Sequence, residues 1–449
     1  MGSDTSELKN VVEQLLADWQ VPGVAVGIFH NGEVQTHGFG VASLETGFPM
    51  RPDTVLQIGS ISKIFTSTLV MTLVDEGKID LDTPLIEYMP DLQLQDKDAR
   101  QALTMRHLLT HTSGLYGDWF EDFGLGDDSL SNAIANVHSL RQIAPPGEVW
   151  SYCNSGFYIA GAIIERLTDQ TFEQAMQERV FDPIGMEKAT FFAHEAIVYP
   201  TAVGHNLEEG EQVVARRYPL PRNVNAAGGI ITDVGEMLRF AQMHLNQGTI
   251  DGNQVLTPES IAAMQNEETK AAVMADYYGL AWALRDRDGK RLVGHGGSTN
   301  GFRAYLSTVP EEQFAIVMLT NGNLGTAVYN RLEDWALEHY CGIKTRKPEQ
   351  VALSNEQLEH LSGNYEQPIH KIAITVRDGG LQLDVVDRSP LVDESKEVKQ
   401  DPKWAYPTSD RDFIIQGGPD DGQHVDFIFD DAGNPKYFHY HGRVSEPVK

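Results

Sequence analysis

Val11, Val12, Leu15, Leu16 and Trp19 recur at helical spacing near the start of the chain, with Glu7, Lys9, Glu13 and Asp18 between them. The stripe predicts an amphipathic helix with Ser6 as its N-cap. Two strand-like runs, 24–29 and 33–39, then flank His30-Asn31-Gly32, and Asn-Gly in that setting predicts a hairpin. A helix is expected over 61–76, ending at Gly77. The stretch to about 216 reads as helical and loop-rich, with helices at 105–109, 130–143 and 156–167, and another follows at 234–245. Strands return at 280–284, 291–293, 303–309 and 314–320, with 310–313 as a hairpin loop, before a closing helix over 331–340. A sheet drawn from both ends of a segment, with a helical insert between, is an α+β layout.

Lys344-Thr345-Arg346-Lys347-Pro348 is polar, basic and ends in proline, which marks a linker. Past a short helix at 355–361 the pattern changes to short strands at 371–376, 381–386, 413–416, 425–429 and 437–441, separated by glycine-rich turns. Two domains are therefore expected: an α+β domain over 1–346, and a small all-β domain over 347–449, an antiparallel barrel or sandwich.

Composition narrows the class. The 449 residues are 41% hydrophobic and 22% charged, typical of a globular chain, and carry a net charge of −29. That balance repels phosphate backbones and anionic lipids, so neither nucleic acid nor a membrane surface is an expected partner. No apolar run approaches the roughly 20 residues of a membrane-spanning helix. Two cysteines, Cys153 and Cys341, are too few for a disulfide framework or a cysteine-rich zinc site. As written the chain reads as cytoplasmic; removal of a leader would make it periplasmic or secreted.

Candidate chemistry sits in three places. Ser60 and Lys63 stand three apart at the start of the 61–76 helix, so one face brings a hydroxyl to an amine. A serine hydroxyl is a poor nucleophile without a base within hydrogen-bond reach, and a desolvated lysine at a helix N-terminus can serve. Ser6 and Lys9 share the spacing, but as a cap and a solvated side chain. Tyr152 is the one tyrosine followed two positions later by asparagine, Asn154. A phenol near an ammonium can be held partly ionised, able to take a proton from serine and return it to a leaving group, and the amide can hold a substrate carbonyl. Third, His295-Gly296-Gly297-Ser298 precedes the 303–309 strand, where glycines permit close backbone approach and an N–H can meet an oxyanion.

In this order, Ser60-x-x-Lys63, Tyr152-x-Asn154 and His295-x-Gly297 match the arrangement of serine β-lactamases and penicillin-binding proteins. With the connecting phrases at 106–115, 146–148, 225–229 and 295–301, the chain resembles the class C β-lactamase and D-Ala-D-Ala carboxypeptidase family over residues 8–342. The resemblance implies a β-lactamase/transpeptidase-like fold, an antiparallel sheet flanked by helices plus a helical subdomain. It implies an acyl-enzyme: Ser60 attacks, Lys63 and Tyr152 share the base, the N–H groups of Ser60 and Ser298 form the oxyanion hole, and Asn154 binds the substrate amide. His295, Gly296, Gly297 and Ser298 would line the substrate, and neither metal nor cofactor is expected. The 347–449 strands resemble the lipocalin-like barrel appended to some of these peptidases, where it narrows access or assists a homo-oligomer.

One departure shapes the expected substrate. Many members have Lys-Thr-Gly where this chain has His295-Gly296-Gly297, and a histidine supplies no fixed charge for a substrate carboxylate at pH 7. Members with histidine there resemble esterases, aminopeptidases and D-amino-acid-directed peptidases. The expected activity is hydrolysis of a small peptide, amide or ester by a peptidase of the D-aminopeptidase or D-Ala-D-Ala carboxypeptidase type. A carboxylesterase or weak β-lactamase is the alternative within the fold, and a penicillin- or peptide-binding protein without turnover the alternative outside enzymes. A zinc site at His107 and His111 lacks an adjacent glutamate and a third ligand. An α/β-hydrolase is excluded, because no Gly-x-Ser-x-Gly occurs.

Overall fold

The computed structural model describes residues 2–271, 273–346, 348–388 and 397–448, so Lys347 of the expected linker lies outside the described residues. Two compact units emerge: one comprises 1–149, 153–268 and 278–345, the other 150–152, 269–277 and 346–449.

The first unit is built on an antiparallel sheet in the order Glu33–Gly40, Gly23–His30, Phe314–Thr320, Phe302–Val309, Lys290–Thr299, Ala283–Arg287. Gly23–His30 stands second in this order and is almost wholly buried, its successive side chains serving opposite faces that are both covered. Val24, Val26 and Ile28 pack with Leu8, Val12 and Leu332, from the Gly2–Asp18 and Gly325–Cys341 helices. Each such buried side chain contributes about 1.5–3 kcal/mol. On the other face, a β-carbon at Gly27 would stand 3.0 Å from Leu238 Cδ1, in the Val234–Leu245 helix. The hairpin turn is the expected one: Asn31 and Gly32 have φ of 50° and 88°, the left-handed conformations that Asn-Gly tolerates.

Several boundaries differ from expectation. The first helix begins at Gly2, so Ser6 lies within it and is not its cap. The helix expected over 130–143 stops at Asn136 in favour of a 3-10 turn, Val137–Ser139. There His138 Nδ1 and Ser139 Oγ bond back to the Ala135 and Asn136 carbonyls, offering them partners other than the next helical N–H. The strand expected over 291–293 runs from Lys290 to Thr299, so the His295 motif lies inside it.

The second unit contains a closed antiparallel barrel of eight strands: Gly363–Gln367, His370–Arg377, Gly380–Asp387, Lys403–Pro407, Asp412–Gln416, His424–Phe429, Pro435–Tyr440 and Arg443–Pro447. Pairing of Tyr365 with Pro447 joins last strand to first, which leaves the ring without open edges. Ile372, Leu383, Phe413, Phe427 and Phe438 fill the interior, and Leu358 and Leu361 from the Asn355–Leu361 helix pack with them. The strands at 363–367, 403–407 and 443–447 were absent from the sequence expectation, being short and polar outside their few inward positions.

Candidate active site

Gly59 has φ +54°, and the 3-10 turn Gly59–Ile61 leads into the Ser62–Asp75 helix. Lys63 is thereby set in the first helical turn, fully buried, while Ser60 stays partly accessible. Lys63 Nζ donates to Ser60 Oγ at 3.1 Å and to the Ala227 carbonyl at 2.6 Å. It also stands 5.4 Å from the centroid of the Phe157 ring. A buried amine costs free energy unless its N–H groups find acceptors, so these partners are what keep it there.

The Ala227 carbonyl is itself anchored. It belongs to the short helix Asn225–Gly228, which Thr66 Oγ1 binds at Ala226 O (2.7 Å) and Glu173 binds through Asn225 Nδ2 (2.7 Å). Arg222 donates to both Glu173 oxygens, each at 3.1 Å. Glu165 lies beside this group: burial pushes its carboxyl up to about 7, opposed by a bond from the Phe172 N–H and reinforced by the Glu173 charge. Sequence reading treated 225–229 as a connecting phrase and missed its role as the acceptor for Lys63.

The glycine strand approaches the turn that carries Ser60 backbone to backbone. A β-carbon on Gly59 would lie 2.6 Å from the Ser298 nitrogen, and one on Gly297 would collide with the Ile58 carbonyl oxygen and come within 3.3 Å of the Ser60 nitrogen. Glycine at both positions is what brings the Ser60 and Ser298 amides into one neighbourhood. Gly296 is different: its nearest neighbour is a Tyr305 ring carbon at 3.5 Å, an ordinary contact.

His295 is 3% exposed. Its Nδ1 lies 2.6 Å from the Gly296 carbonyl, which only accepts, so that nitrogen carries the proton and Nε2 accepts from the Tyr278 hydroxyl at 2.8 Å. Burial pushes the imidazole down to about 3, with the Lys63 charge adding to the fall and the Gly296 bond opposing it. His295 is thus neutral at pH 7. Tyr278 was absent from the sequence reading; a Tyr-Tyr pair before a glycine carried no motif.

Asn154 opens the Asn154–Thr168 helix, and its amide donates to Asp118 Oδ1 at 3.1 Å. Phe157, on which Lys63 rests, is three residues on, so helical spacing turns Asn154 and Phe157 to one face. The structure therefore gathers Ser60, Lys63, Gly297 and Ser298, with His295 and Asn154 in the same unit. Tyr152 belongs to the other unit, where its N–H donates to the Gly442 carbonyl at 2.8 Å. The two histidines weighed as zinc ligands have other tasks: His107 completes a capping box with Thr104, and His111 Nδ1 accepts from the Cys153 N–H at 3.0 Å.

The sequence profile of the family described as Beta-lactamase matches residues 8–339. The chain belongs to the beta-lactamase family of serine hydrolases. It is similar to a penicillin-binding protein 4 of Amycolatopsis lactamdurans, 33% identical over 378 residues, 82% of this chain and 99% of that one. A D-aminopeptidase of Brucella anthropi is 28% identical over 379 residues, 80% of this chain and 68% of that one. The solved structure of SurE with D-Leu has a TM-score of 0.76 at 22% identity and covers 100% of both chains, a likeness of fold. No helix among the described residues is long and apolar enough to cross a membrane.

Proposed function

We propose that the protein hydrolyses amide or ester bonds of small substrates through an acyl-enzyme on Ser60, as a peptidase of the D-aminopeptidase kind. The observation that carries this reading is the 3.1 Å bond from a fully buried Lys63 to an accessible Ser60 hydroxyl. Ser60 Oγ attacks the carbonyl and gives its proton to the base shared by Lys63 and Tyr152, which returns it to the leaving group. The amides of Ser60 and Ser298 receive the oxyanion, Asn154 holds the substrate amide, and water then cleaves the ester.

Neutral His295 favours one side of the family's range. A β-lactam or a peptide ending in a free carboxylate gains from a fixed positive charge at this strand, and a neutral imidazole supplies none. Amino-acid amides, aminopeptidase substrates and esters need no such charge. Carboxylesterase action is a second reading that the same observation supports, because it shares every step.

A panel of nitrocefin, p-nitrophenyl acetate and the D- and L-alanine p-nitroanilides, each with wild type and Ser60→Ala, tests the reading. D-anilide and ester turnover should exceed nitrocefin turnover, and Ser60→Ala should lower it by up to about 10⁶-fold with the fold intact. Retained turnover in folded Ser60→Ala moves the nucleophile elsewhere. Exclusive cleavage of the L-anilide removes the D preference, and acylation without steady-state release makes the protein a binder.

A further inference from the structure

Residues 150–152, which carry Tyr152, form part of the same compact unit as the barrel. One hairpin of that barrel, Pro435–Tyr440 with Arg443–Pro447, holds all three. His439 Nε2 lies 2.6 Å from the Trp150 carbonyl, an acceptor, so the ring donates there, while Asp426 Oδ1 stands 2.8 Å from Nδ1 on the other side. Val444 N–H donates to Ser151 Oγ at 3.4 Å, and Tyr152 N–H to Gly442 O at 2.8 Å. The Arg443 guanidinium sits 4.7 Å from the centroid of the Tyr152 ring. Trp150, Tyr152 and His439 are each less than a twentieth exposed.

The gripping element is stiff. Tyr440 pairs directly with Arg443, and the two turn residues, His441 and Gly442, have φ of 48° and 75°, the primed turn that matches strand twist. A β-carbon on Gly442 would meet Met274 Sδ at 2.5 Å and Trp150 Cη2 at 3.2 Å, so the tip is packed closely against the segment it holds. A chain segment merely covering a barrel needs no hydrogen bond at each successive residue. Here carbonyl, hydroxyl, amide and ring are each engaged, one after another.

We propose that this hairpin is the positioning element for the Tyr152 phenol: by holding 150–152 within their own unit it fixes where the hydroxyl stands. The proposal rests on the reading of Tyr152 as part of the base. His439 is its clearest positioning residue: it touches no reacting atom and acts through the Trp150 carbonyl. A proton donor misplaced by about 1 Å loses on the order of 10²-fold in rate, whereas substrate affinity, set by other side chains, is spared.

The test is steady-state kinetics of the full chain with p-nitrophenyl acetate for His439→Leu, His439→Gln, Arg443→Leu and Tyr152→Phe, with thermal melting of each. His439→Leu should lower kcat by about 10- to 100-fold with KM within twofold, and His439→Gln, which keeps a donor, should restore most of it. If His439→Leu does not fold, Arg443→Leu should show the same loss in kcat at constant KM. A folded His439→Leu with wild-type kcat overturns the proposal, as does a rise in KM alone for Arg443→Leu, which would make that arginine a substrate ligand. Wild-type kcat in folded Tyr152→Phe removes the base assignment itself. Loss there with full activity in His439→Leu removes only the clamp.

Discussion

Gly297→Ala is the sharpest probe of the proposed oxyanion hole. The added β-carbon would collide with the Ile58 carbonyl oxygen and crowd the Ser60 nitrogen at 3.3 Å, both backbone atoms at the turn that carries Ser60. Neither can rotate away as a side chain would, so strand and turn must separate by on the order of 1 Å, a displacement that costs about 10²-fold in rate when it falls on catalytic geometry. Losing one oxyanion donor outright costs about 10²- to 10³-fold, or about 3–4 kcal/mol in the transition state. The expected fall in kcat is therefore about 10²- to 10³-fold, alongside about 1–3 kcal/mol of stability lost to overpacking. Gly296→Ala is the matched control: its β-carbon meets a Tyr305 ring carbon at 3.5 Å and needs no backbone shift. The assay is p-nitrophenyl acetate hydrolysis with burst and steady-state phases resolved, on variants shown by melting to be folded at the assay temperature. Gly297→Ala within threefold of wild type, or Gly296→Ala equally impaired, would refute the reasoning.

Two further outcomes follow from the buried groups. Asn225→Ala removes the Glu173 bond that anchors the Lys63 acceptor turn, a charge-assisted bond of about 1.5–3 kcal/mol, and should lower kcat about tenfold at steady KM; unchanged kcat in a folded variant would mean that the turn holds itself. Burial pushes His244 and His295 down to about 3 from an ordinary 6.5, so as pH falls from 6.5 toward 3 the unfolded chain takes up protons the folded one refuses, and stability is lost. By pH 5 each histidine should cost about 2 kcal/mol, so urea unfolding at pH 5 and pH 7 should show a smaller drop for His244→Gln than for wild type; equal drops would refute it. Glu165 works the other way, its raised carboxyl adding stability at low pH that is lost as pH rises from 4.5 toward 7.

Much of the fold was legible because its signals are local. The Asn31-Gly32 hairpin, the 234–245 helix and the Phe314–Thr320 strand follow from turn chemistry and from periods of 3.6 and 2. Misreadings arose where a neighbour overrode the local signal. Glycines 294, 296 and 297 look like breakers at the end of a short strand, yet the Lys290–Thr299 strand passes through them. A β-carbon at Gly294 would collide with the Leu306 carbonyl oxygen, so there glycine reflects the partner's closeness. The 443–447 strand escaped notice because its pattern is set by barrel closure, which no short window contains.

The same division runs through the candidate site. Ser60 and Lys63 are three residues apart, and one turn of helix is enough to bring hydroxyl to amine, so the chain alone determined that pair. Its order of motifs also placed it in its family. Only the tertiary structure decided the remaining contacts: the Ala227 carbonyl that accepts from Lys63 Nζ, the Tyr278 hydroxyl that donates to His295 Nε2, and, within the second unit, the barrel hairpin that grips 150–152. Apart from the Tyr278–His295 pair, those contacts join residues far apart in sequence through backbone carbonyls and amides. Every residue type but proline carries both groups, so composition and spacing leave no trace of which ones meet.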